Sequence, residues 1–341
     1  MNGRWAFLRP SPNVFSVVMA TGILSIGAAR HGYVGLSSAL GVLASAGLVV
    51  LVALVVATAV IERRAAVWDL RDPDITLRLF TFVAACAVLD SRLERHPVWV
   101  RVLGLVALVS WSVLSSLTVR NMLSRRWTEL RDKAHGAWLL ASVGTSGLVI
   151  VMAQMIRATG HTVWLAVAIP IWVAGIGVYL MMATLIMWRT VHERMDRDGF
   201  EPDTWILMGG MAIATLAGDL LGQLTAGPVS VALRAATVIT WGVATVWIPP
   251  LIYFVLHRIH NRPGMLQFRG VWWALVFPLG MYSVASQAMA VELTMPALDT
   301  VSLVFFWDAF AAWLIVALAG FRRATLRSAQ LLAPTGRVGR R

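Results

Sequence analysis

The sequence contains little charge and almost no cysteine or lysine. Charged residues make up 13% of its 341 positions, whereas about 25% is usual in a soluble domain. Cys86 is the one cysteine and Lys133 the one lysine. A single cysteine excludes a disulfide framework within the chain and a zinc site built from several cysteines. The chain is therefore not a small domain held together by disulfides or by a Cys-based zinc centre.

Long apolar segments are abundant instead. The sequence is 58% hydrophobic with a mean hydropathy of +0.74. A membrane helix needs roughly 20 apolar residues, and ten segments approach or exceed this length without the alternation typical of barrel strands. They leave no room for a soluble catalytic domain of ordinary size. The segments are 13–29, 36–61, 75–90, 98–117, 136–155, 163–188, 204–221, 233–256, 270–290 and 300–320.

The basic residues predict the orientation of these segments. One set of loops holds 22 Lys/Arg residues and the opposite set holds 6, and such an excess marks the cytoplasmic side. We therefore predict an all-α integral membrane protein with a cytoplasmic N-terminus at 1–12, a ten-helix transmembrane domain at 13–320 and an Arg-rich cytoplasmic tail at 321–341. The net charge of +12 then reflects topology and contact with lipid, and no nucleic-acid partner is predicted.

Loop lengths group the ten segments into five consecutive helical hairpins. Small and polar residues are concentrated in the odd-numbered segments, for example Gly22 in the first, Thr145 and Ser146 in the fifth and Gly209 in the seventh. Small residues let membrane helices approach closely, and polar residues could also line a pore. Both explanations place the odd-numbered segments at the centre of the bundle.

Catalytic and metal chemistry find no support in the sequence. All seven histidines fall in loops or at segment ends, and His257 and His260 have no third ligand nearby in the sequence. Gly-rich phosphate loops and flavin fingerprints are also missing. We therefore predict no enzyme activity, no metal and no cofactor. The histidines are His31, His96, His135, His161, His192, His257 and His260.

Ionisable residues within membrane segments are costly and are candidates for function. Arg78 and Asp90 lie near segment ends, which favours contact with lipid headgroups. Asp219 could pair with an arginine or cap a helix. Asp308 is the deepest of the four, and we expect it to be structurally paired or protonated. A proton-coupled carrier would need such a group, so this class remains the alternative to a passive channel.

The ninth segment contains the sequence Trp-Trp-Ala-Leu-Val-Phe-Pro-Leu-Gly at 272–280. Pro278 removes a backbone donor and should kink the helix, while Gly280 permits close approach by a neighbouring helix. Phe277 directly precedes this kink, where a large side chain can be directed towards the axis of a bundle.

Four stretches carry a family resemblance. They are SPNVFSVVMATGILS at 11–25, FTFVA at 80–84, WILMG at 205–209 and WALVFP at 273–278. Together they resemble the tellurite-resistance/C4-dicarboxylate transporter family. That family includes bacterial tellurite-resistance-type channels, fungal malate and sulfite transporters, and plant guard-cell slow anion channels. The resemblance extends in order from about residue 11 to 320.

The resemblance implies both a fold and a function. The fold would be ten helices as five hairpins around a pseudo-fivefold axis, with odd helices lining a central pore, in a homotrimer in the plasma membrane. The pore would be gated by Phe277, and Gly22, Thr145, Ser146, Gly209, Pro278 and Gly280 would line it or shape its helices. The implied substrates are small anions such as malate and other C4-dicarboxylates, chloride, nitrate and sulfite. A proton-coupled dicarboxylate or sulfite carrier is the alternative.

Overall fold

The computed structural model describes residues 10–63, 66–93, 96–192, 202–261 and 272–332, and all regular secondary structure in these ranges is helical, as predicted. Short 3-10 turns at Gly136–Leu139, Thr162–Trp164 and Pro202–Trp205 lead directly into the α-helices that follow them. The α-helices of the described ranges are α1 (Ser16–Arg30), α2 (Val34–Glu62), α3 (Pro73–Arg78), α4 (Phe80–Arg92), α5 (Pro97–Leu123), α6 (Trp127–Lys133), α7 (Leu140–Thr159), α8 (Leu165–His192), α9 (Ile206–Leu224), α10 (Gly227–Asn261), α11 (Trp273–Glu292) and α12 (Ala297–Leu332).

Eight of the described helices are long and apolar enough to cross a membrane: α2, α5, α7, α8, α9, α10, α11 and α12. The protein is therefore a multi-pass membrane protein. α1 has 15 residues and α4 has 13, which correspond to about 22 and 20 Å at 1.5 Å per residue. Both are shorter than a hydrocarbon core of about 30 Å, so the first and third predicted segments differ from the other eight.

The third predicted segment, 75–90, is divided between two helices. Asp72 caps the N-terminus of α3, as expected for a short polar side chain at that position. The interruption is slight, because Leu79 keeps nearly helical backbone angles. The hydroxyl of Thr81 in α4 donates to the carbonyl of Arg78, the last residue of α3, at 2.8 Å. α3 therefore continues into α4 with a small break.

The last helix extends beyond the end of the predicted segment 300–320. α12 extends to Leu332, so the predicted tail at 321–341 begins as helix. Residues 1–9 and 333–341, which belong to the predicted cytoplasmic ends, lie outside the described residues.

Burial divides the long helices into two groups. In the most apolar windows of α7, α9 and α11, between 72% and 94% of residues are buried, against 17% to 28% in α2, α5, α8, α10 and α12. α1 and α4 belong to the first group, since most of their residues are buried. We call α1, α4, α7, α9 and α11 the inner helices and the other five the outer helices. The prediction that the odd-numbered segments lie centrally agrees with this division.

The inner helices contact one another in a closed ring, in the order α1, α4, α7, α9, α11 and back to α1. Each outer helix packs on the inner helix that precedes it in the chain and also on the next inner helix. α12 closes the arrangement by packing on both α11 and α1. Inner and outer helices therefore alternate along the chain, with the inner helices in one closed ring.

Glycines allow the inner helices to approach closely. A Cβ atom added to Gly22 of α1 would lie 2.6 Å from Val88 of α4, and one added to Gly144 of α7 would lie 2.6 Å from Phe80 of α4. Both distances are too short for two carbon atoms, so larger residues would separate the helices. The small residues of the inner helices thus have a packing role, the first of the two explanations offered by the sequence.

Candidate functional site

A small cavity lies where the N-terminal ends of the inner helices meet. Its volume is about 20 Å³, which is room for about one water molecule. All five inner helices, or the turns that lead into them, contribute to its lining, so it lies between them on the axis of the ring. We call it the inner cavity; it is lined by Asn13, Ser16, Met19, Arg78, Thr81, Ala137, Leu140, Asp203, Ile206, Ala274 and Phe277.

Phe277 is the largest apolar side chain of this lining and is 1% exposed. Pro278 follows it within α11 and has no N–H, so the carbonyl of Ala274 receives no helical bond from that position. Ala274 also lines the inner cavity. A bulky side chain and a weakened turn of backbone therefore coincide at the inner cavity.

Two close contacts hold α11 directly after Phe277, one with α9 and one with α1. A Cβ atom on Gly209 of α9 would lie 2.9 Å from Cβ and Cγ of Pro278. A Cβ atom on Gly280 would lie 2.8 Å from Cγ2 of Ile23 in α1. Because both contacts depend on a missing side chain, these glycines fix the position of α11 between its two neighbours.

Thr145 and Ser146, predicted as lining residues, lie against outer helices. The Thr145 hydroxyl donates to the Ala141 carbonyl at 2.7 Å and accepts a bond from the indole N–H of Trp111 in α5 at 3.0 Å. A Cβ atom on Gly175 of α8 would lie 3.1 Å from Cγ2 of Thr145 and 3.7 Å from Oγ of Ser146. Thr145 thus packs towards α5 and α8 and Ser146 towards α8, and a role of either residue in lining the pathway stays a prediction.

A charged cluster borders the inner cavity. His135, which immediately precedes the turn into α7, lies 2.6 Å from Asp74 (Nε2 to Oδ1) and 3.0 Å from Asp203 (Nδ1 to Oδ2). Arg78 donates to Asp74 at 2.9 Å. Since Arg78 and Asp203 also line the cavity, we call Asp74, Arg78, His135 and Asp203 the inner cluster.

The inner cluster changes the pKa values of its members. Burial alone would lower the pKa of His135, but its bonds to Asp203 and Asp74 and their charges outweigh burial and raise the pKa to about 9. Burial alone would raise the pKa of Asp74, but His135 and Arg78 lower it to about 2. At neutral pH the imidazole is therefore a cation whose two N–H groups donate to the two carboxylates.

Sequence reasoning missed this cluster. It assigned Arg78 to lipid headgroups and placed His135 in a loop or at a segment end, whereas both are held by the carboxylate of Asp74. Asp74 and Arg78 are four residues apart, a spacing that places two side chains on one face of a helix. The contacts with His135 and Asp203 join residues far apart in the chain, and no sequence pattern marks them.

A larger cavity opens at the other end of the ring, where the inner helices end. It has a volume of about 520 Å³ and contains Arg30, Arg92 and Arg157 from the last turns of α1, α4 and α7. We call it the vestibule. Its lining within the described residues contains no carboxylate, and consists of Ile26, Ala29, Arg30, Val34, Ser37, Ser38, Ser91, Arg92, Leu93, His96, Gln154, Arg157, Leu216 and Leu220.

Neutral oxygens position the vestibule arginines. Arg30 donates to the Val284 carbonyl at 3.0 Å, Arg92 to the Ser25 hydroxyl at 2.9 Å and Arg157 to the Gln223 amide oxygen at 2.9 Å. These three acceptors orient the guanidinium groups and carry no charge of their own. Three cations in one concave opening produce a positive potential that concentrates anions.

The remaining ionisable candidates have different surroundings. Asp219 accepts a bond from the Gln223 amide at 2.9 Å and is thereby linked indirectly to Arg157. Asp308 is exposed on α12. Asp90, expected at the headgroups, is instead fully buried, and neither carboxylate oxygen has a hydrogen-bond partner among the described groups.

A closed ring of buried membrane helices, with a basic vestibule at one end and an aromatic side chain near the other, is the architecture of a membrane channel or transporter. The family can also be stated. The chain belongs to the voltage-dependent anion channel family, whose profile matches residues 9–320. This confirms the anion-transporting family suggested by the four sequence stretches.

The chain is also similar to individual membrane proteins. It is 23% identical over 319 residues to an uncharacterized transporter of Methanocaldococcus jannaschii, covering 89% of this chain and 90% of the relative. It is 27% identical over 168 residues to an uncharacterized membrane protein of Mycobacterium tuberculosis, covering 48% of this chain and 81% of the relative. A second transporter of M. jannaschii is 21% identical and covers 54% of each chain.

Proposed function

We propose that the chain conducts small anions along the axis of the inner helices, between the vestibule and the inner cavity, with Phe277 as the plug. The observation that supports this is the convergence of all five inner helices on a cavity bordered by the buried Phe277 side chain. A cavity with room for about one water molecule does not admit a hydrated anion. Conduction therefore requires Phe277 to rotate away from the axis.

The proposed membrane topology completes this picture. α1 and α4 would traverse the bilayer with the eight longer helices, giving ten transmembrane helices in five hairpins with pseudo-fivefold symmetry over 13–320. The geometry of α3 and α4 supports this. α3 continues into α4 with only a small break, and the combined length of the two helices approaches that of a span. We place both termini on the cytoplasmic side of the plasma membrane, in accordance with the distribution of basic residues.

Anion preference follows from the charges along the pathway. The vestibule attracts anions through its three arginines, while the inner cluster has two carboxylates that balance Arg78 and protonated His135. Anions are thus attracted at the vestibule, whereas the inner cluster has almost no net charge. Anion binding along the pathway then stays weak enough for rapid exit. Chloride, nitrate, sulfite, and malate or other C4-dicarboxylates all meet these requirements.

We also propose that the protein assembles as a homotrimer. Asp308 is exposed about 16 Å along α12 from Ala297, at 1.5 Å per residue. An exposed carboxylate at this depth is costly in lipid, and contact with a second copy of the chain would remove it from lipid.

The test of the plug is Phe277→Ala in proteoliposomes. We expect anion efflux to increase because the side chain that closes the inner cavity is removed. Phe306→Ala is the matched control, since Phe306 is also fully buried but lines neither cavity. Equal efflux from wild type and Phe277→Ala, with both proteins folded, would refute the plug. Equal increases in both variants would indicate general loosening instead.

A proton-coupled carrier is the second candidate, and Asp90 is the observation that favours it. An ionised carboxylate buried without a partner is strongly unfavourable, which makes Asp90 the candidate for the titratable group that such a carrier needs. Asp90→Asn would then abolish uptake driven by a proton gradient but retain passive flux, while Asp308→Asn would retain both. If wild-type uptake does not respond to a proton gradient, the carrier hypothesis fails and the channel remains.

A further inference from the structure

An apolar groove runs along the outside of the bundle between α5 and α8, with α7 as its floor. Its volume is about 270 Å³. Leu148 of α7 lies at its base and is fully buried, whereas Val167 of α8 forms part of the wall and is 43% exposed. The groove is separate from the vestibule and from the inner cavity, and the proposed anion pathway does not use it.

The groove exists because α5 lacks a side chain where it crosses α7. A Cβ atom on Gly104 would lie 3.2 Å from Cγ1 of Val151 and 3.4 Å from Cε of Met155. Gly104 therefore lets α5 rest directly on α7. The groove follows this line of contact beside α8.

Arg101 provides the one charged side chain in the groove lining. It is exposed in the first turns of α5 and makes no hydrogen bond or ion pair within the part of the chain that the structure describes. Trp164, 54% exposed, lies on the same side of the membrane in the turn before α8 and also lines the groove. Arginine and tryptophan together are typical of the depth of lipid headgroups.

The dimensions of the groove suit an extended chain. From Arg101 to Leu108 it extends about 10 Å into the membrane, at 1.5 Å per residue. A flexible hydrocarbon chain can lie along a slot of this length, with the polar end of the lipid at Arg101 and Trp164.

We propose that this groove binds a phospholipid of the leaflet on the vestibule side, with an acyl chain in the groove and the phosphate on Arg101. A guanidinium group binds phosphate through two parallel N–H donors. An acyl chain covers the apolar walls, which contain no other charged group among the described residues. The cation at headgroup depth also favours a lipid with net negative charge over a zwitterionic one.

The test measures lipid binding to the delipidated, detergent-solubilised protein by native mass spectrometry, with phosphatidylglycerol and phosphatidylcholine as probes. We expect wild type to bind phosphatidylglycerol about fivefold more tightly, the effect of one basic residue near the membrane surface. Arg101→Gln should abolish that preference. Arg120→Gln, at the other end of α5 and also exposed, should retain it.

A second pair of variants tests the groove itself. Val167→Trp fills it from the exposed wall and should abolish retention of either lipid. Val173→Trp on the same helix is the matched control, because Val173 is 57% exposed and lies outside the groove. Equal lipid binding by the two variants, or an unchanged preference in Arg101→Gln, would overturn the proposal. So would loss of oligomers in Val167→Trp with lipid binding intact, because the groove would then bind a second copy of the chain.

Discussion

His135→Ala removes the residue that joins three separate parts of the chain at the inner cavity. In wild type, protonated His135 donates to Asp74 in α3 and to Asp203 before α9. The substitution leaves Asp203, whose side chain is 3% exposed, with one remaining donor among the described residues, the Ala137 N–H at 3.2 Å. A buried carboxylate that loses a charged partner destabilises the folded state.

The size of the effect follows from the pKa of His135. The value in the folded protein is about 9, against 6.5 for a free histidine, and at 1.36 kcal/mol per unit this difference corresponds to at most about 3 kcal/mol. Solvent reaches part of the cluster and weakens its interactions, so we expect about 2 kcal/mol. The pKa is raised on folding, so the stabilisation is complete below pH 6.5 and is lost as the pH rises through 9.

The assay is thermal unfolding of the detergent-solubilised protein, followed by tryptophan fluorescence at pH 6, 8 and 10. Wild type should lose stability between pH 6 and 10, whereas His135→Ala should be less stable at pH 6 and change less with pH. His161→Ala is the control, since His161 is exposed and should behave as wild type. Parallel pH profiles for wild type and His135→Ala would refute the assignment of a bridging cation.

Three further substitutions test other contacts. Gly136→Ala should destabilise the protein by about 2 kcal/mol, because its Cβ would overlap the backbone of Asp203, while Gly35→Ala, which meets nothing within 4 Å, should not; similar melting temperatures would contradict this. Arg92→Gln should slow anion uptake at low ionic strength. The difference in uptake rate from wild type should shrink near 1 M salt, where the Debye length is about 3 Å; a difference that does not depend on salt would exclude electrostatic attraction. Thr145→Val should lower the free energy of unfolding by about 1 kcal/mol, because it removes the acceptor of the half-buried Trp111 indole N–H, without changing anion selectivity; altered selectivity would show that Thr145 lines the pathway after all.

The sequence predicts the helices much better than it predicts their contacts. Hydropathy locates each long helix, because a membrane span must be both long and apolar. Small residues also identify which helices are central. The weakest predicted segment, 75–90, contains Arg78 and Asp90, whose charge interrupts the apolar pattern. It is the segment that divides into α3 and α4.

Candidate site residues could be predicted only where the local sequence carries a signal, such as a proline within a helix. The aromatic–proline pair at Phe277 and Pro278 is visible in the sequence, and the structure places Phe277 at the inner cavity. Arg78 and His135 carry no such mark, because their partners come from distant segments. Burial of Asp90 likewise depends on helices that pack around it, which hydropathy along one segment does not describe.

Closure of the helix ring has a consequence for how the protein is made. The first hairpin meets the last through bonds between residues 254 to 292 positions apart, including Trp313 to Thr21 and His31 to Ser302. Such long-range contacts form late, since the intervening chain must first be arranged. During synthesis, the side of α1 that packs on α11 and α12 therefore stays uncovered until the final hairpin is inserted. We expect premature termination before α11 to leave an open arc of helices with no axial pathway, a natural substrate for membrane proteases.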